Sequence, residues 1–160
     1  MEAKNRGYTP WEIRMIGEWV ATTFPDVEWQ TNVRLGSLTP RSELGQFTQE
    51  ELGALGVWRR RVDAIVYLPD RLLLVEAVLR SHPGKVAMLQ LYEALLPQTP
   101  ELAGYSHLPV QKVLLFVIED PVLTLLAQQQ GILCIQFVPS FFDEWFAKLA
   151  RREQRAPRSD

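Results

Sequence analysis

Asp63 and Glu76 are the residues of this chain with the most chemistry to offer, because each sits alone as an acid inside an apolar run. Asp63 interrupts Val62 to Val66, and Glu76 interrupts Leu73 to Val78. Between the runs lies Leu68-Pro69-Asp70-Arg71, a turn sequence that predicts a β-hairpin. A turn centred between Pro69 and Asp70 fixes the register. Tyr67 then faces Leu72, Ile65 faces Leu74, Asp63 faces Glu76, and Arg61 faces Val78. Directly opposed residues on one sheet face have Cβ atoms about 5 Å apart, so two carboxylates there repel. Burying them uncompensated is costly. Three resolutions are open: a divalent cation clamped between them, a neighbouring guanidinium from Arg61 or Arg80, or one acid kept protonated by a raised pKa.

The elements that must position these acids follow from hydrophobic period and breakers. Thr9-Pro10-Trp11-Glu12 opens a helix whose inner face is read as Ile13, Ile16, Gly17, Val20 and Phe24, ended by Pro25. Val27 to Leu35 reads as a strand and residues 39–45 as a loop. Thr48 to Glu51 forms a capping box for a short helix that Gly56 stops. Val57 to Tyr67 and Leu72 to Leu79 are the hairpin strands. Gly84 to Leu96 is a helix behind the Ser81-His82-Pro83 break, and Pro97 to Pro109 is a loop. Val110 to Ile118 is a strand buried on both faces. Asp120-Pro121 opens a helix that Gly131 caps, and Ile132 to Val138 is another buried strand. An amphipathic helix from Ser140 closes the chain, with Phe141, Phe142, Trp145, Phe146 and Leu149 inward. The expected fold is α/β, a mixed sheet in which an antiparallel meander precedes βαβ crossovers, with helices on both faces. One domain over residues 1–153 and a disordered basic tail over 154–160 are expected.

Composition narrows the classes. At 160 residues, 47% hydrophobic and 22% charged, the chain has the balance of a soluble globular domain and no run long enough to cross a membrane. The single Cys134 excludes an internal disulfide and a Cys-rich zinc site, and fits a reducing, intracellular setting. Net charge is −2, so no global field draws nucleic acid in. Arginines nevertheless cluster at Arg59-Arg60-Arg61 and along Arg151 to Arg158, in the side-chain type that grips phosphate in a planar fork. Those clusters read equally as solvated faces. His82 and His107 read as surface loop residues, Cys134 as core, and the tryptophans as core or interface anchors, with Trp58 beside the arginine run set apart. No glycine-rich phosphate loop, serine nucleophile motif or zinc-protease helix is present.

Taken in order, Arg61-Val62-Asp63-Ala64-Ile65-Val66, a hairpin, Leu73-Leu74-Val75-Glu76-Ala77-Val78, and a helix carrying Gln90-Leu91-Tyr92 resemble the PD-(D/E)XK, or restriction-endonuclease-like, nuclease superfamily, over roughly Thr9 to Val138. The resemblance implies that Asp63 and Glu76 bind Mg²⁺ (or Mn²⁺) and activate water. It implies a third acid from the first helix, Glu18 before Glu12, and Gln90 and Tyr92 lining the site. The family's lysine belongs at position 78, where this chain has Val78. Of the four lysines, Lys85 at the next helix's start is the substitute. Arg59, Arg60, Arg61 and Arg80 would contact nucleic acid, DNA in preference. The implied function is metal-dependent phosphodiester hydrolysis. The alternative is a catalytically inactive nuclease fold, needing no metal, used as a binding or assembly module of a virus or mobile element. That module would have a homo-oligomer or protein partner, no membrane, and a place in the cytoplasm or a virus particle.

Overall fold

The computed structural model describes residues 10–37, 48, 50–51 and 59–155. Helix α1 (Pro10–Thr23) begins at a proline with Glu12 in its first turn, and strand β1 (Trp29–Leu35) follows. Strands β2 (Arg60–Tyr67) and β3 (Leu72–Val78) form the hairpin, closed where Leu68 N donates to Arg71 O at 3.0 Å. Helix α2 (Gly84–Leu95), strand β4 (Val110–Phe116), helix α3 (Pro121–Gln129), strand β5 (Leu133–Gln136) and helix α4 (Phe142–Arg155) complete the order.

The five strands form one sheet in chain order, β1 to β3 antiparallel and β3 to β5 parallel. This is the mixed α/β architecture expected, since the short hairpin turn permits only antiparallel pairing and the intervening helices permit parallel return. Helices cover both faces. Met15, Ile16, Trp19 and Val20 of α1 and Trp145 of α4 pack with Ala64, Val66, Val75 and Ala77 on one side. Leu89 and Tyr92 of α2, with Leu123 and Ala127 of α3, pack on Ile65, Leu74, Val78 and Leu114 on the other. Every residue of β3 is buried, which puts Glu76 at the centre of the molecule.

Several local expectations change. The buried stripe of α1 is rotated toward Met15 and Trp19, because the helix packs where those large side chains fill the interface. The segment expected as a loop between Pro97 and Pro109 winds into two 3₁₀ turns, Leu96–Gln98 and Pro100–Tyr105, each with proline in its first residues. Strand β5 is not buried: it is the sheet's edge, paired only with β4, and Leu133 is 49% exposed. Phe146 is 50% exposed because Phe142, Trp145 and Leu149 occupy the inner stripe of α4. That helix runs to Arg155, past the boundary expected for the tail. Thr48 N donates to Glu51 Oε2 (2.7 Å) and Glu51 N to Thr48 Oγ1 (3.2 Å), the reciprocal capping box read from sequence. The loop over 39–45, the stops at Gly56, Trp58 and residues 156–160 lie outside the described residues.

Candidate acid–lysine site

The β2–β3 ladder follows the expected register from Tyr67↔Leu72 to Ala64↔Val75. At Asp63 and Glu76 side chains take over from it. Asp63 N donates to Glu76 Oε1 at 3.0 Å, and Ala77 N donates to Asp63 Oδ2 at 3.1 Å, so each acid accepts a backbone proton from the opposite strand. Local backbone makes room for this. Val62 and Ile65 both pack on the α2 side while Ala64 and Val66 pack on the α1 side, so the alternation of β2 breaks at Asp63. On β1 the ladder skips Asn32, whose φ of 52° is left-handed, a conformation asparagine tolerates better than most residues.

The compensating charge is Lys85. Its Nζ donates to Asp63 Oδ2 at 3.1 Å and to Glu76 Oε2 at 2.5 Å. Neither Arg61 nor Arg80 makes an ion pair with either acid, so of the three resolutions left open the arginine one is not taken. Arg80 instead pairs with Glu153 at 3.4 Å on the surface.

The turn before α2 aims the lysine. Lys85 N donates to His82 O at 3.0 Å, and a Cβ on Gly84 would lie 2.8 Å from Cε1 of the exposed His82 ring, which would have to turn aside. Ser81 Oγ donates to Asp120 Oδ2, and Asp120 Oδ1 accepts from Val122 N and Leu123 N at the start of α3. One carboxylate thus joins the turn that aims Lys85 to the next helix. Lys85, Leu89 and Tyr92 then follow at the spacing of one helical face.

Burial sets the electrostatics. The Glu76 side chain has no solvent exposure, against 18% for Asp63 and 12% for Lys85. Burial pushes the Glu76 carboxyl up, to about 8. The Asp63 charge adds to that shift and Lys85 opposes it. For Lys85, burial alone would favour the neutral amine, but Glu76 and Asp63, with the more distant Glu12, outweigh it and hold the ammonium above its ordinary value. Lys85 is therefore a fixed cation and not a base.

Other expected site residues divide. Glu18, given first place as the helix acid, is elsewhere: its carboxylate accepts from Ser140 N (2.7 Å) and Ser140 Oγ (2.6 Å) ahead of α4. It falls out of phase with the inner stripe of α1, whereas Glu12 lies in phase with Met15, Ile16 and Trp19 and its charge reaches Lys85. Glu18→Ala is expected to cost about 1 kcal/mol, a capping loss, in a thermal melt while leaving activity unchanged. Gln90 is also displaced. It donates to Gln130 Oε1 (2.7 Å) and accepts from Lys112 Nζ (2.7 Å), because it projects from α2 toward α3 and β4. Tyr92 is buried within reach of the site, its hydroxyl pKa raised by burial first and by the Glu76 charge second.

Arg59, expected to contact nucleic acid, is engaged within the chain: Nη1 and Nη2 grip Glu101 at 2.6 and 2.9 Å and Nη2 also meets Arg34 O. Arg60 is exposed and Arg61 half-buried at the start of β2. Sequence reasoning missed the Lys112 cluster, where a buried ammonium meets Gln90, Glu93 Oε1 (3.3 Å) and Gln130 O (3.0 Å). Its signal was a lone lysine facing an otherwise apolar sheet.

The donor set bears on a metal. Among the described residues no three His, Cys, Asp or Glu side chains gather as a ligand group, so the expected Asp63–Glu76–Glu18 trio does not form. Two hard carboxylates do converge. Of their four oxygens, Asp63 Oδ1 has no hydrogen-bond partner among the described residues, and it belongs to the more exposed acid. That suits Mg²⁺, which commonly takes one or two protein carboxylates with water and phosphate completing its shell.

No protein-family model matches the chain, and no curated protein matches it. Among solved structures it is similar to the crystal structure of a protein of unknown function, AF1548, at 12% identity and a TM-score of 0.46, over 81% of this chain. The chain spans 61% of the length of that structure. No described helix is long and apolar enough to cross a membrane.

Proposed function

We propose that this chain is a nuclease-type domain in which Asp63, Glu76 and Lys85 serve Mg²⁺-dependent hydrolysis of phosphodiester bonds in nucleic acid, DNA in preference, in the cytoplasm or a virus particle. One observation carries the reading: a single lysine, supplied by the helix after β3, spans both hairpin acids. The PD-(D/E)XK-like pattern lacks its strand lysine at Val78, and Lys85 brings the same charge to the same carboxylates from another element.

Asp63 and Glu76 would hold the metal, with Asp63 Oδ1 as the open donor. When bound, Mg²⁺ supplies Lewis acidity and a lowered pKa for attacking water. The chain's own part is to orient and neutralise. Asp63 is fixed by Ala77 N and Glu76 by Asp63 N, so neither carboxylate needs to reorganise. Lys85, permanently charged, offsets negative charge that develops on a phosphoryl group.

A second reading, a catalytically inactive binding or assembly module, is favoured by one feature: the lysine already occupies Glu76 Oε2, and Glu76 is wholly buried. Nicking of supercoiled plasmid in Mg²⁺ or Mn²⁺ decides. The wild type is expected to nick, and Asp63→Ala to fall by at least about 100-fold. Equal rates for the two would retire the hydrolytic reading and leave the binding module.

A further inference from the structure

Helix α4 turns a cationic stripe outward: Lys148, Arg151, Arg152 and Arg155 are all exposed. Arg80 stands beside it, four residues beyond Glu76. Arg80, Lys148 and Arg152 rim a groove of about 210 Å³ floored by Trp11, Trp145 and Leu149. A second hollow of about 240 Å³ is lined by Lys148, Arg151, Arg152 and Arg155, and it shares Lys148 and Arg152 with the first. Adjoining through those two residues, the hollows make one shallow basic surface along α4, an open channel. Among the described residues two carboxylates pair with it, Glu144 on Lys148 (2.7 Å) and Glu153 on Arg80 (3.4 Å), and all four partners are at least half exposed. Such surface pairs are weak and yield readily. Arg152 and Arg155 have no ion-pair partner among the described residues.

A favourable interaction with the helix dipole accounts for cations in the last turn of α4. It does not account for Arg80 from another element, nor for two hollows walled by arginine in a chain whose net charge is −2. Trp11 reaches the channel already faced by cations, Lys148 Nζ at 4.7 Å and Arg14 at 5.0 Å from its ring. It serves as a floor and not as a platform for a base. The channel therefore offers guanidinium forks for phosphate and no reader of base identity.

We propose that this channel carries the phosphate backbone of a nucleic acid past the acid–lysine site, with Arg80, Arg152 and Arg155 as its principal contacts in place of the Arg59–Arg61 run. The proposal rests on the nuclease-type reading for its occupant, and its test is independent of hydrolysis. Arg80 lies two residues past the end of β3 and Lys85 in the first turn of α2, so channel and site lie at the same end of that strand.

The measurement is fluorescence anisotropy of labelled single- and double-stranded oligonucleotides of about 20 nucleotides, in EDTA, across about 50–200 mM salt. The wild-type 160-residue chain is compared with Arg152→Glu/Arg155→Glu, with the milder Arg152→Gln/Arg155→Gln, and with Arg71→Glu on the hairpin turn as a charge control. Binding is expected to be indifferent to sequence and to fall steeply with salt. The Glu pair is expected to weaken it more than about 10-fold and flatten the salt slope by about two. The Gln pair should act in the same direction and the control should not. Unchanged affinity in both double variants, or binding to anionic phospholipid vesicles without binding to oligonucleotides, would overturn the proposal. Plasmid nicking untouched by Arg152→Glu/Arg155→Glu would remove the channel and spare the hydrolytic reading. Arginine-dependent binding without nicking in Mg²⁺ would do the reverse.

Discussion

Lys85→Met is expected to destabilise the protein by about 3–5 kcal/mol near pH 8.5, because the wholly buried Glu76 loses its counter-charge and must either stay ionised unpaired or take up a proton against the solution pH. For a chain of this size that lowers Tm by on the order of 10 °C. The loss should shrink near pH 5. Without the ammonium nothing pulls the Glu76 pKa down, so the acid stays neutral over a wider range, and a neutral carboxyl needs no counter-charge. Adding Glu76→Gln to Lys85→Met should recover part of the loss at alkaline pH, the non-additivity expected of groups in contact. Differential scanning calorimetry at both pH values tests this. A Lys85→Met protein as stable as wild type at pH 8.5 would mean that the ion cluster contributes nothing to the fold. Nicking activity should also vanish in Lys85→Met, and Lys85→Arg should restore stability better than rate, since its planar fork carries charge in a different shape.

The second large effect is the pH dependence of stability in the metal-free protein. Glu76 titrates near 4.5 when unfolded and is raised to about 8 when folded. Between those values the folded state binds a proton that the unfolded chain has released, so stability falls as pH rises. The Glu76 contribution is complete below the lower value and lost above the upper one. In EDTA, Tm should decline from pH 5 to pH 8.5, and Glu76→Gln, which cannot titrate, should flatten the decline. A wild-type profile without slope in that window, or an undiminished slope in the variant, would contradict the burial-driven shift. Mg²⁺ reverses the preference because it binds the ionised acid, so its stabilising effect should grow with pH as binding displaces a proton.

The hairpin was the most legible part of the sequence. Pro69-Asp70 admits one turn position, and period-two alternation then sets Asp63 opposite Glu76; the ladder keeps that register to Ala64↔Val75, and the Asp63 N–Glu76 Oε1 bond joins the two acids where the alternation breaks. The mixed sheet was readable in part: the short turn makes β2–β3 antiparallel and the helices after β3 permit parallel return, whereas the long connection from Leu35 to Arg60 does not dictate the antiparallel β1–β2 pairing. Lys85 is harder. Nothing in local pattern says how far a helix N-terminus overhangs a sheet, and only the resemblance singled the residue out.

Glu18 was misplaced because both faces of the first helix's middle carry apolar residues, which leaves its rotation open by about a third of a turn. The packing of Met15 and Trp19 settles that rotation. The Arg59 ion pair was not legible because its partner, Glu101, lies far along the chain in a segment read as loop. Edge status misled the reading of β5: an apolar run looks the same whether two neighbours cover it or one.

Because the ammonium rides on α2 and not on β3, strand and cation are registered by different forces. A lysine at position 78 would be locked by the same ladder that holds Glu76 opposite its neighbours. Lys85 is held by how α2 lies on the sheet, through Leu89, Tyr92 and the Gln90–Lys112 bond. Partial opening of that one helix would disassemble the site while all five strands stayed paired. The acid–lysine cluster is therefore only as ordered as the packing of α2, through Leu89 and Tyr92, keeps it.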